Sequence, residues 1–246
     1  MFDIEEFARI APEWASRLHY HPELGSTNDE ALRLCESGVG NLTVVLADHQ
    51  SAGRGRRGSA WTSDPGGGLL FSLILKPEYE PKYWSRLALA TGLGIATVLR
   101  DQWNLPAEVK WPNDVMIEGK KCCGILVETR GSRAVLGVGI NVAASPQSDE
   151  SVALAELVHR PGSREQLLAA LLTELADQAA ASGYQFHQQV EQLRKVCYLT
   201  GKEISFTAHG KDYGGSCEGI GDDGQLLVNI GGEPMSFLQA EQVRVK

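Results

Sequence analysis

Three arginines stand among three glycines in Gly53-Arg54-Gly55-Arg56-Arg57-Gly58, and Trp61 follows shortly after. Glycine lets a backbone approach an anion closely and turn its N–H groups inward. Arginine adds planar, permanently charged forks that match phosphate or carboxylate oxygens. An aromatic face such as that of Trp61 can cover an adenine or another small ring. The plainer alternative for this stretch is a solvated basic turn. The spelling G-x-G-x-x-G does not make a dinucleotide fold, because that fold needs the last glycine to open a helix. Here Ser59-Ala60-Trp61 and then Asp64-Pro65-Gly66-Gly67-Gly68 follow, which cannot be helical. No G-x-x-x-x-G-K-[ST] occurs, which argues against a P-loop enzyme.

A second group is Lys110-Trp111-Pro112-Asn113-Asp114, followed by Lys120-Lys121. Pro112 restricts Trp111 to an extended conformation. Asn113 and Asp114 offer polar atoms towards a metal-bound nucleotide. Lys121 begins the apolar run CCGILVE, an expensive place for an ammonium unless it meets an anion; on its own the lysine pair also reads as a solvated hairpin corner. A third group is Gly137-Val138-Gly139-Ile140-Asn141. Its glycines suit either close approach of a ligand or a strand packed tightly on a neighbour.

The elements that must hold these groups are legible in outline. Apolar residues at helical spacing run from Ile4 to Leu18, interrupted by Pro12, so a kinked or broken helix is expected. A short strand over Leu18–Glu23 precedes Ser26-Thr27-Asn28-Asp29-Glu30, which reads as a helix start with Thr27 as cap and Glu30 closing a capping box. Buried strands are expected at Leu42–Ala47 and Leu69–Leu75, with the Gly-Arg loop between them. A helix is expected over Lys82–Gln102, then a hairpin from Val115 to Glu128 turning at Glu118-Gly119, and a further strand over Ala134–Val142. Helix returns from Ser163 to Val196 with a break near Gly183. From Gly201 onward five short glycine-rich strands suggest a small β-barrel, with Asp222-Asp223-Gly224 as a hairpin turn. The expected division is therefore 1–197 and 198–246.

The composition is that of an ordinary globular chain, and the net charge of −8 opposes general binding to nucleic acid. None of the five cysteines stands in C-x-x-C spacing, so neither zinc nor a redox pair is indicated, and Cys122-Cys123 reads as reduced and structural. The six histidines show no metal-ligand spacing. The acidic, amphipathic beginning lacks the order of a signal peptide, and no apolar run is long enough to span a bilayer. A cytoplasmic location without a membrane partner is the expectation.

Taken together and in order, these motifs resemble the biotin protein ligase family. The matching residues are Ser26-Thr27-Asn28, then Gln50 to Gly58 with Trp61, then Lys110-Trp111-Pro112-Asn113-Asp114. Lys121 with Gly124-Ile125-Leu126 and Gly137-Val138-Gly139-Ile140-Asn141 complete them. The resemblance implies an α+β fold: a mixed sheet with flanking helices, related to class II aminoacyl-tRNA synthetases, and a small SH3-like C-terminal β-barrel. It implies ATP and Mg2+ as cofactors, biotin as substrate, and a biotin carboxyl carrier protein domain as the acceptor. Biotin would be converted to biotinyl-5'-AMP and then joined to a carrier lysine.

Carried over by the resemblance, Lys121, Arg54 and Arg56 are the catalytic set. Ser26, Thr27, Asn28, Gln50, Arg54, Gly55, Arg56 and Lys121 surround biotin. Arg54, Trp61, Lys110, Asn113, Asp114 and Asn141 hold ATP or the adenylate. Arg244 is expected to face the ATP site. Family members include dimers built on sheet edges, so a homodimer is compatible with the resemblance. Bifunctional members carry an N-terminal helix-turn-helix; the few residues before Ser26, with the acidic charge, lead to the expectation of a ligase without DNA binding. Two rivals stand beside this reading. A lipoate or octanoate ligase shares the fold but usually shows an Arg-Arg…Gly-Gly-Gly…His-Asp pattern, which is missing here. A non-catalytic biotin binder would not need Lys121 and both loop arginines.

Overall fold

A computed structural model of the chain describes residues 1–143, 148–158 and 162–246. The chain starts with α1 (Ile4–Ile10) and α2 (Pro12–Ala15), separated at the expected proline, which occupies the first turn of α2 where its missing N–H costs nothing. Next come β1 (Leu18–Leu24), α3 (Thr27–Glu36), β2 (Thr43–Gln50) and β3 (Gly68–Leu75). After these lie α4 (Arg86–Trp103), β4 (Ala107–Lys110), β5 (Asp114–Ile117), β6 (Lys120–Arg130) and β7 (Arg133–Asn141). They form a seven-stranded sheet in the order β1-β2-β3-β7-β6-β5-β4. Only the β1–β2 pair is parallel; the others are antiparallel. The expected mixed sheet with flanking helices is therefore present.

One face of the sheet is covered by helices. Gly92 and Gly94 let α4 come close: a Cβ at Gly92 would lie 3.3 Å from Val109 of β4, and one at Gly94 would lie 3.1 Å from Leu175. Leu175 belongs to α6 (Arg164–Tyr184), which follows the short α5 (Leu154–Leu157) and precedes α7 (Phe186–Lys195). Burial of Leu87, Ile95, Leu99, Phe71, Leu136, Leu171 and Leu172 makes this the main core. The opposite face is covered only at one end, where Ala31, Leu34 and Cys35 of α3 pack on Val45, Ile74 and Val135. Beyond α3 that face carries Ser72, Gly137, Gly139 and Gly124, aligned across β3, β7 and β6. The site lies there.

The C-terminal unit is an antiparallel sheet of five strands: β8 (Glu203–Ala208), β9 (Lys211–Ile220), β10 (Leu226–Ile230), β11 (Glu233–Phe237) and β12 (Glu241–Val245). Phe206, Tyr213 and Phe237 form its aromatic centre, with Phe206 and Phe237 edge-on at 4.8 Å between ring centroids. The expected Asp222-Asp223-Gly224 turn joins β9 to β10 and also docks the unit. Trp111 Nε1 donates to Gly224 O at 2.9 Å, Arg86 pairs with Asp223, and Arg194 pairs with Asp222. Just before this unit, Val196–Tyr198 runs along the edge of β4: Val109 N–H donates to Val196 O and Tyr198 N–H to Val109 O.

All five cysteines are free and buried. Burial pushes the Cys122 thiol up to about 12 and raises that of Cys123, so both stay protonated and inert at neutral pH.

Asp48 on β2 ties the ends of several elements together. Its carboxylate accepts from Phe2 N–H at 3.1 Å and from the Tyr20 hydroxyl at 2.6 Å, and it pairs with Arg164 at 2.8 Å. Burial pushes its pKa up, but those three donors outweigh burial and hold it below the usual carboxylate value. A depressed folded pKa stabilises the fold above the unfolded value near ~4, and that contribution is lost as pH falls through the folded value. Asp48→Asn is expected to cost about 1–3 kcal/mol at pH 7. The gap to wild type should narrow below about pH 4, as measured by urea denaturation across pH.

Candidate active site

Two clefts meet on the open face of the large sheet. The first, about 520 Å3, is lined by Ser26, Thr27, Asn28, Gln50, the Gly-Arg loop from Arg54 to Trp61, Asn113, Asp114 and Lys121, with Ala240, Glu241 and Gln242 at its rim. The second, about 650 Å3, is lined by Lys110, Met116, Asn141, Glu150, Tyr198 and Arg244. Ala60, Trp61, Asp114 and Lys121 belong to both. All the residues singled out for an acid ligand thus line the first cleft, and Lys110 and Asn141 line the second. Arg244, expected near the nucleotide, lies there too.

The start of α3 is held by a chain of hydrogen bonds. Gln50 Oε1 accepts from Thr27 N–H at 2.7 Å and from the Thr27 hydroxyl at 3.0 Å. Ser72 Oγ lies 2.9 Å from Thr27 Oγ1 and donates to Asn28 Oδ1 at 2.6 Å. Asn28 Nδ2 donates to Glu128 Oε2 at 2.7 Å. This corrects the expected capping box. Ser26, not Thr27, is the cap residue, and it makes no side-chain cap hydrogen bond. The reason is competition: Gln50 holds Thr27, and Glu30 is taken by Arg33 at 2.6 Å.

The Gly-Arg loop folds against itself. Trp61 N–H donates to Gly53 O and Gly55 N–H to Ser59 O. A Cβ at Gly53 would lie 2.4 Å from Trp61 O, so that glycine serves the fold of the loop itself. The three arginines go to three different places. Arg54 pairs with Glu128 and with Asp29, each at 2.7 Å. Arg57, in a left-handed conformation at φ 55°, pairs with Glu241 of β12. Arg56 donates to the neutral Asn113 Oδ1 at 3.0 Å and has no carboxylate in ion-pair reach among the described residues. Burial pulls the Arg56 pKa down, with Arg57 adding to it and Asp114 opposing. A half-buried guanidinium with no carboxylate partner among the described residues is a site for an anion.

At the junction of the clefts Lys121 Nζ lies 2.7 Å from Asp114 Oδ1 and 5.6 Å from the Trp61 ring centroid. The Lys121 backbone is fixed by a donor to Glu150 O and by an acceptor from Val152 N–H. Lys110 pairs across β4 and β5 with Asp114. Burial pulls the Lys110 pKa down; Asp114 and Glu150 oppose this, while Lys121 and Arg244 add to it. Asn113 is held at both ends, accepting from Arg56 and donating to Ile125 O at 2.9 Å, so its part here is to position Arg56. Asn141 Nδ2 donates to Val152 O at 3.3 Å; among the described residues its buried Oδ1 meets no hydrogen-bond donor and the buried Trp61 Nε1–H no acceptor.

The paired glycines make room for site side chains. Gly124 and Gly139 are directly opposite in the β6–β7 register. A Cβ at Gly124 would lie 2.7 Å from the Trp61 ring, and one at Gly139 2.5 Å. A Cβ at Gly137 would lie 2.2 Å from Asn28 Oδ1. The tight-packing reading is the one the geometry supports, with the neighbours being Trp61 and Asn28. Residues not anticipated are Ser72, Glu128 and the Ala240–Gln242 rim. Ser72 had a faint signal, a lone hydroxyl inside the apolar run LLFSLIL; Glu128 and the rim had none.

The arrangement sets cations where two anions would be brought together. An acid with an uncharged polar head fits the first cleft, and a phosphate-bearing partner fits the second. Comparison with known proteins shows the family. Residues 23–144 match the biotin/lipoate A/B protein ligase family model. The chain belongs to that family. It is 30% identical over 232 residues to the biotin–[acetyl-CoA-carboxylase] ligase of Mycobacterium tuberculosis, covering 91% of this chain and 87% of that one. It is 36% identical over 134 residues to the bifunctional ligase/repressor BirA of Bacillus subtilis, a match that takes in 52% of this chain and only 41% of that protein. Among solved structures, the biotin protein ligase from Aquifex aeolicus in complex with biotin and ATP superposes with a TM-score of 0.82 at 27% identity. That superposition covers 93% of this chain and 99% of that one.

Proposed function

We propose that this chain is a biotin protein ligase that activates biotin with MgATP and passes it to a lysine of a biotin carboxyl carrier domain. The observation that carries this reading is the junction of two clefts at Lys121 and Asp114, with Arg56 half-buried on the acid side and without a carboxylate partner among the described residues. Biotin's head group would lie among Ser26, Thr27, Asn28 and Gln50, whose hydroxyl and amide groups match an uncharged polar ring. Its carboxylate would point to Lys121. Lys110, Arg244 and Asn141 would take the nucleotide, with Trp61 between the two ligands.

In the first step a carboxylate oxygen attacks the α-phosphorus, the bond to the bridging oxygen breaks, and pyrophosphate leaves. Lys121 and Arg56 stabilise charge on the reacting oxygens as it develops. The Gly-Arg loop, held by Arg54 to Asp29 and Glu128 and by Arg57 to Glu241, keeps water from the mixed anhydride. In the second step a neutral lysine amine attacks the acyl carbon, AMP leaves with the C–O electron pair, and the surplus proton goes to solvent.

A divalent cation fits as part of the nucleotide complex. Among the described residues no group of three or more His, Cys, Asp or Glu could hold a metal alone. Asp114, ion-paired to Lys121 and lining both clefts, is the carboxylate that would face an ATP-bound Mg2+. Such an ion would neutralise phosphate charge.

The biotin reading is favoured over lipoate or octanoate by the names of the relatives, and over a passive binder by Lys121 and Arg56. The net charge of −8 supports a ligase that does not bind DNA. Among the described residues no helix is long and apolar enough to cross a membrane. The run of Val196–Tyr198 between the two sheets supports division at 197/198 into a catalytic and a C-terminal domain. Transfer is tested with labelled biotin, MgATP and a recombinant carrier domain: label on one carrier lysine, lost when it becomes arginine, is expected. Adenylate that forms but never labels the carrier would refute the transfer step.

A further inference from the structure

Glu128 lies outside the motifs that carry the resemblance, yet it joins the two halves of the acid cleft. Its two carboxylate oxygens receive three donors: Arg54 Nη1 at 3.1 Å, Arg54 Nη2 at 2.7 Å and Asn28 Nδ2 at 2.7 Å. Arg54 belongs to the Gly-Arg loop and Asn28 to the first turn of α3, so one side chain of β6 fixes both walls. We propose that Glu128 is the positioning residue of the acid cleft, setting the placement of Arg54 and the orientation of the Asn28 amide.

The reason lies in the direction of the hydrogen bonds. An ionised carboxylate accepts only, so the Asn28 NH2 must turn to it and Oδ1 must turn away. Oδ1 then receives the Ser72 hydroxyl at 2.6 Å, in the gap left by Gly137. The Thr27 hydroxyl in turn donates to Gln50 Oε1, which directs Gln50 Nε2 towards Gly53. The Asn28 amide and the Ser72 hydroxyl are thus ordered from Glu128 inward, while Gln50 is held by the Thr27 N–H as well. A fully linked network of this kind is rigid, whereas one with an ambiguous member loses its fixed pattern. Glutamine at 128 has one acceptor oxygen for three donors, and its own NH2 would face Arg54 or Asn28. Arg54, being matched by Glu128 and Asp29, acts through its placement, unlike Arg56.

The inference rests on the biotin ligase reading for the identity of the acid. The test is pyrophosphate exchange by the full chain, with KM for biotin and for ATP measured separately in wild type, Glu128→Gln, Glu128→Asp, Arg54→Gln and the Glu128→Gln/Arg54→Gln double variant. Loss of charged hydrogen bonds predicts a rise in biotin KM of about tenfold or more for Glu128→Gln, with ATP KM and kcat within about threefold. Glu128→Asp should recover part of the loss. The double variant should be little worse than the worse single one, because both changes break the same contact. Unchanged biotin KM, equal rises in both KM values, or multiplicative losses in the double variant would overturn the assignment. Wild-type protein separates this from the functional reading. If it exchanges with another acid and not with biotin, the substrate is wrong, and the same comparison is made with that acid.

Discussion

Replacing Lys121 with alanine is expected to lower the rate of biotin adenylation by about 10²–10³-fold, the usual loss when one transition-state donor is removed. Lys121 is the cation common to both clefts, and its ammonium is held 2.7 Å from Asp114 and beside the Trp61 ring. As a carboxylate attacks a phosphate, negative charge grows on oxygens that face both ligands. A donor placed between them stabilises that charge more than it stabilises either bound substrate, so kcat should fall further than KM rises. The side chain is 36% exposed, so its ion pair contributes little to folding and the variant should melt close to wild type. Single-turnover formation of adenylate, followed by quench and chromatography, measures the step directly. A near-normal rate in the folded variant would refute the role given to Lys121.

The second large effect is expected from the glycines, and it should split by position. Gly137→Ala places a Cβ 2.2 Å from Asn28 Oδ1, whereas Gly139→Ala places one 2.5 Å from the Trp61 ring. Neither can stand without displacement of the neighbour. The former disturbs the hydrogen-bond chain of the acid cleft, and the latter lifts the ring that divides the clefts. Gly137→Ala is therefore expected to raise biotin KM by about 10–100-fold with a smaller change for ATP, the cost of one or two broken site contacts. Gly139→Ala should raise ATP KM by about tenfold or more, since the Trp61 ring lines the nucleotide cleft. Pyrophosphate exchange with biotin and ATP varied in turn checks both. Equal losses for the two ligands in each variant would contradict the division of the site.

Much of this was readable from the chain because the relevant signals are local. The hairpin turn at Glu118-Gly119, the break at Pro12 and the five C-terminal strands follow from residue types within a few positions. The break in the last helical stretch was legible but displaced. It falls at Gln185, while Gly183 stays inside α6 because Tyr79 packs there, 2.4 Å from where a Cβ would stand. What was not readable depends on contacts far apart in sequence. The strand β4 has four residues and no alternation long enough to register. The cap of α3 was misplaced because Gln50, held by β2, competes for Thr27. Glu128 reaches Asn28 and Arg54 only once β6 lies beside α3 and the loop. The rim Ala240–Gln242 joins the cleft only because the C-terminal sheet docks through Trp111, Arg86 and Arg194.

The central claim is that the two clefts join an acid to a nucleotide and that the acid is biotin. Biotin-dependent exchange of labelled pyrophosphate into ATP, with lipoate and octanoate run in parallel, tests it most directly. Exchange with biotin and not with the other two acids is the predicted result. Exchange with lipoate or octanoate alone would contradict the pocket assignment, and no exchange with any acid by folded protein would contradict catalysis itself.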